Sequence, residues 1–122
     1  MNKNETIEGQ MLYGLLNNLA VYGQELTYLM ERATYKNLQA DAAIELDALK
    51  ELIVAQQTEI NELTNDVLSR LKQIPAVNEQ NQSVIPFTTL IRNNHLREHT
   101  RKIERSVFYL KYHVNKVLAV AS

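Results

Sequence analysis

Residues 46–74 read LDALKELIVAQQTEINELTNDVLSRLKQI. Within them Leu46, Leu49, Ile53, Gln56, Ile60, Leu63, Val67, Leu71 and Ile74 recur at steps of three and four. That interval stacks side chains along one face of an α-helix. A four-residue step is repeated between Val67 and Leu71, a slip that locally adjusts a supercoil. A seam this long on a single helix needs partners of similar length.

Both partners are present in the chain. On the amino-terminal side, Leu12, Leu15, Leu19, Tyr22, Leu26, Leu29 and Ala33 form a second seam. On the carboxy-terminal side, Leu96, Thr100, Ile103, Val107, Leu110, Val114, Val117 and Ala121 form a third. The spacing predicts helices over about residues 6–36, 41–74 and 88–120. Each would run roughly 45 Å at 1.5 Å per residue. Thr6 is suited to start the first helix. In the segment KNLQADAA, Asn37 can stop it in a left-handed conformation and Asp41 can cap the second. Thr88 or Thr89 can cap the third.

Pro75 and Pro86 bracket PAVNEQNQSVIP, a polar, amide-rich loop over residues 75–86 whose ends cannot continue a helix. The expected architecture is therefore all-α: a single domain over residues 1–122, an elongated antiparallel bundle with coiled-coil-like packing. So narrow a bundle leaves apolar surface uncovered. Leu16, Val21 and Met30 widen the apolar surface of the first helix beyond its seam, and oligomerisation would complete the burial.

Composition narrows the function classes. The 122 residues are 45% hydrophobic and 22% charged, with no cysteine, so disulfides, thiolate catalysis and cysteine-rich zinc sites are excluded. The amino terminus carries Glu5 and Glu8 against Lys3, and Asn17 and Asn18 interrupt its apolar run, so it does not read as a secretory signal. No apolar run approaches the ~18 residues a membrane span needs, and a cytoplasmic protein is expected. The net charge of −1 hides a split: residues 1–66 carry 4 basic and 11 acidic side chains, residues 67–122 carry 9 basic and 3 acidic. The halves can neutralise each other within or between subunits, or the basic half can meet an anionic partner.

The first helix holds all three glycines, Gly9, Gly14 and Gly23, each costing ~1 kcal/mol relative to alanine inside a helix. Tyr13, Tyr28 and Tyr35 lie within about 60° of one another around the helix axis, at 100° per residue. Tyrosines with one wet end suit an interface, and these are the aromatic interface candidates.

The third helix carries a polar stripe at the same three-four spacing: Arg92, His95, His99, Lys102, Ser106, Tyr109, His113 and Lys116, flanked by Arg97, Arg101 and Arg105. It can be a solvated face, can meet acidic residues such as Asp47, Glu51, Glu62 and Asp66 of the second helix or of a second copy, or can bind a polyanion. Within it, His95-Leu96-Arg97-Glu98-His99 spells the H-x-x-E-H of inverted zincins. Those enzymes add a distant carboxylate ligand and a much larger fold, whereas only 23 of the 122 residues follow His99. No metal or cofactor is expected.

Arg92-Asn93 followed by His99 resembles the active-site motif of HEPN ribonucleases, small all-α dimers that cleave RNA. The resemblance implies that His99 acts in acid–base chemistry and that Arg92 stabilises phosphate. Here the spacer is longer than in the commonest form, and Thr100 and Arg101 follow the histidine where an aromatic is expected at a fixed step. No phosphate-binding G-x-x-x-x-G-K, no G-x-S-x-G and no paired E-x-x-H ligands occur. The residues favour a non-enzymatic interaction protein: a helical structural, adaptor or chaperone-like subunit that self-associates or docks on a larger protein assembly. RNA binding or HEPN-like cleavage through the basic third helix is the alternative.

Overall fold

The computed structural model of the protein describes residues 6–34, 38–74 and 87–121. They form three helices, α1 (Ile7–Ala33), α2 (Ala40–Gln73) and α3 (Phe87–Ala121), and each packs on the other two in an all-α bundle. Among the described residues there is no strand, and no helix is long and apolar enough to cross a membrane.

The seams become the core. Leu12, Leu19, Leu26 and Leu29 of α1, Leu46, Ile53, Leu63 and Val67 of α2, and Ile103 and Val114 of α3 are almost completely buried. At ~1.5–3 kcal/mol for each large aliphatic side chain withdrawn from water, these layers supply the main drive to fold. One polar residue is buried in each of the α2 and α3 seams. Thr100 is buried with its hydroxyl donating to the Leu96 carbonyl at 2.8 Å, and Gln56 donates from Nε2 to Glu59 Oε2 at 3.0 Å. Each is thereby satisfied, as a buried polar group must be.

Polar contacts set the order of the helices. Glu8, at the start of α1, meets Arg70 near the end of α2 and Asn93 near the start of α3. Tyr22 donates to Glu104, and Arg32 at the end of α1 donates to Asn115 far along α3. So α2 runs antiparallel to both neighbours, and α1 and α3 point the same way.

The boundaries differ from expectation where capping chemistry was the guide. Thr6 caps α1 as expected, its hydroxyl accepting from the Gly9 N–H at 2.8 Å. Asp41 is not the cap of α2: Gln39 occupies that position without a side-chain cap bond, and Asp41 lies in the first turn. There its charge favours the positive end of the helix dipole. Helix α3 begins at Phe87, so Thr88 and Thr89 fall inside it, and the Thr89 hydroxyl instead accepts from Arg70 at 3.4 Å. Helix α1 ends at Ala33, with Thr34 as its C-cap donating from Oγ1 to the Glu31 carbonyl at 2.7 Å. The expected stop at Asn37 and the loop 75–86 lie outside the described residues.

Candidate interaction site

The polar stripe of α3 runs down the side of that helix facing α2. Arg92 donates to Gln73 Oε1 at 3.3 Å. His99 Nε2 stands 2.6 Å from Glu59 Oε1, an ion pair when the imidazole is protonated, and Glu59 is held from its other oxygen by Gln56. His113 and Lys116 line a groove of about 720 Å³ with Asp41, Glu45, Ala48 and Leu49 of α2 and Val117 and Val120 of α3. His95, Lys102, Arg105 and Tyr109 are exposed. Arg101 is bound to Glu98 at 2.6 Å, while Arg97 lines a small cavity with Glu8, Met11 and Asn93.

Part of the acidic surface expected to meet this stripe lies elsewhere. Asp47 pairs with Lys50 along its own helix at 3.5 Å, and Glu51 and Glu62 are exposed. Asp66 does reach the α2–α3 junction, lining a cavity with Arg92 and Leu96. Glu59 contacts the stripe at His99, Asp41 and Glu45 share a groove with His113 and Lys116, and Asp66 shares a cavity with Arg92, since residues 45, 59 and 66 fall on one flank of α2 at seven-residue multiples.

Arg92 and His99 are drawn to different points of α2. Their partners, Gln73 and Glu59, are fourteen positions apart, about 21 Å along the axis. Bringing both onto one phosphate within a single chain requires at least one of these contacts to break. Among the described residues no three His, Asp or Glu side chains converge to hold a metal ion.

A second feature of α3 is aromatic. Phe108, Tyr109 and Tyr112 are each more than half exposed. The Tyr109 and Tyr112 rings flank His113 at centroid distances of 4.2 and 5.1 Å, and Lys116 Nζ stands 5.9 Å above the Tyr112 ring. Tyr13 and Tyr28 of α1 are also exposed, Tyr28 with Arg32 5.8 Å from its ring centre; Tyr35 lies outside the described residues.

The structure also assembles a cluster of Glu8, Arg70 and Asn93 that no sequence motif brings together. At one end of the bundle Arg70 NH2 lies 2.6 Å from Glu8 Oε1, and their side chains are only 12% and 11% exposed. Asn93 Nδ2 donates to the same oxygen at 3.2 Å, and Arg70 reaches Gln73 at 3.1 Å. The Asn93 Oδ1 is buried with no protein partner. The signal lay in spacing: Glu8 sits four residues before Leu12 and Asn93 three before Leu96, so each prolongs a seam backwards. Tyr22 is the other polar seam member, and its burial, with the hydrogen bond and charge of Glu104, raises its phenol to about 12.

Compared with known proteins, the chain matches no family model, no curated protein and no solved structure.

Proposed function

We propose that this protein is a non-enzymatic, self-associating helical subunit whose outer helix faces are its working surface. The observation that carries the reading is large apolar side chains left in water on all three helices although the seams are filled. Ile44 is 69% exposed, Leu52 50%, Tyr109 56% and Val120 82%, with Val21 and Tyr28 outward on α1. Such surface recurring on a small protein favours burial against another chain. Arg92 and His99 of the α3 stripe are engaged with Gln73 and Glu59 of α2, which suits a scaffold better than a reactive centre. Native mass spectrometry of the purified chain is expected to show a dimer or larger species. A stable monomer that also draws no partner in pull-downs would overturn the proposal.

One observation favours a second reading, contact with single-stranded RNA. Arg101, Arg105, Phe108 and Tyr112 follow one another on the exposed side of α3, and bases stack on aromatic rings beside cations. Fluorescence anisotropy with a single-stranded oligonucleotide should then show salt-dependent binding, weakened about tenfold or more by Tyr112→Ala. Absent or salt-independent binding ends this reading. For its nuclease form, RNA degradation must be lost in both Arg92→Ala and His99→Ala.

A further inference from the structure

Helices α2 and α3 each carry a row of side chains at seven-residue steps on their shared outer side. On α2 these are Glu45, Leu52, Glu59 and Asp66; on α3 they are His95, Lys102, Tyr109 and Lys116. Contacts between the two helices set their alignment: Arg70 with Thr89, Gln73 with Arg92, and Glu59 with His99. In an antiparallel pair this places Glu45 level with Lys116, Leu52 with Tyr109, Glu59 with Lys102 and Asp66 with His95. The first of these pairs lines one groove. Seven of the eight side chains are exposed and Glu59 is half-buried. Among the described residues, Glu59 is the one acidic or basic member of the two rows with an ion-pair partner, and that partner is His99 outside the rows.

An acidic row beside a basic row, with one large apolar or aromatic side chain at the same height in each, can meet a copy of itself in two closed arrangements. With the twofold axis across the helices, α2 lies on α2 and carboxylates face carboxylates. With the axis along the helices, α2 of one copy lies antiparallel on α3 of the other and heights are unchanged. Every level then meets its complement, and every pair occurs twice. Like charges set opposite each other disfavour the first arrangement and opposite charges favour the second.

We infer that the chain forms a twofold homodimer through the outer α2–α3 face, with the axis parallel to the helices and each α2 seated on the α3 of the second copy. The rows extend over about 30 Å and two helix diameters, about 20 Å, a footprint on the scale of a standard specific interface. Leu52 would pack on Tyr109 of the second copy, with Glu45–Lys116 pairs on one side and Glu59–Lys102 and Asp66–His95 pairs on the other. This rests on the self-association proposed above and specifies its geometry.

The absence of cysteine makes the test direct. Leu52→Cys and Tyr109→Cys are made in separate chains, checked for helicity, refolded singly or together, and treated with a short bismaleimide. A covalent dimer from the mixture and none from either variant alone is the expected result. Cross-linking of Leu52→Cys to itself overturns the geometry and leaves self-association standing, as does a mixture that fails to cross-link while the unmodified chain is dimeric. A monomeric unmodified chain overturns both. Independently, Lys116→Glu or Glu45→Lys should each weaken the dimer about tenfold and the two together restore it; unchanged dissociation constants overturn the assigned pairing.

Discussion

At the scale of single residues, the Glu8–Arg70 pair is the most consequential polar contact in the molecule. Both side chains are nearly withdrawn from water, so neither charge can be rehydrated cheaply if the other is removed. Glu8→Ala is expected to cost about 3 kcal/mol, the range for stranding one member of a buried pair, measured as a drop in stability by urea denaturation. Glu8→Leu with Arg70→Met should recover most of that loss, because two apolar side chains strand no charge. Tyr22 gives a different signature. Its phenol holds its proton more tightly in the folded chain, being raised from 10.0 to about 12. The associated stabilisation is therefore complete below about pH 10 and is lost as pH rises towards about 12. Urea midpoints across that window should fall more steeply for the natural chain than for Tyr22→Phe; parallel curves would remove Tyr22 from the account.

At the scale of helices, the sequence was most legible where one force dominates. The nine positions of the α2 seam, from Leu46 to Ile74, are all buried, because three-four periodicity reports the hydrophobic effect directly. Caps were harder to read. Asp41 has the right chemistry for a cap, but the cap is Gln39, two positions earlier, and the helix begins at Ala40, since several residues can nucleate the same turn at similar cost. The proposed interaction face was half legible: its basic row could be read from α3, whereas the acidic row beside it depends on how far α2 is rotated, which only packing decides. Helix α1 stands apart because residues 9–24, GQMLYGLLNNLAVYGQ, contain no charge. A Cβ added at Gly14 or Gly23 meets nothing within 4 Å, so packing inside the chain does not require either glycine. Gly14→Ala and Gly23→Ala should each raise stability by about 0.5–1 kcal/mol through helix propensity, read from thermal melts at matched concentration. A loss of stability that grows on dilution would instead place that glycine in a contact between chains.

At the scale of the whole molecule, the charge split has a geometric outcome. The acidic side chains belong mostly to α1 and α2 and the basic ones mostly to α3, so one bundle presents both signs on neighbouring helices. The buried end cluster bears on this in another way. Seams built on three-four steps nearly repeat every seven residues, so one helix can slide past another by a heptad, about 10 Å, and re-form much of its apolar contact. The cluster does not repeat. A slip of α2 by one heptad against α1 would exchange Glu8 for Leu15 opposite Arg70 and bury a guanidinium against hydrocarbon. Glu8, Arg70 and Asn93 thus act as a vernier, contributing less to how firmly the chain folds than to the singleness of the alignment it adopts. Stripped of them, the bundle would remain helical and compact while its backbone amide resonances multiplied, each set recording a different sliding position of the same three helices.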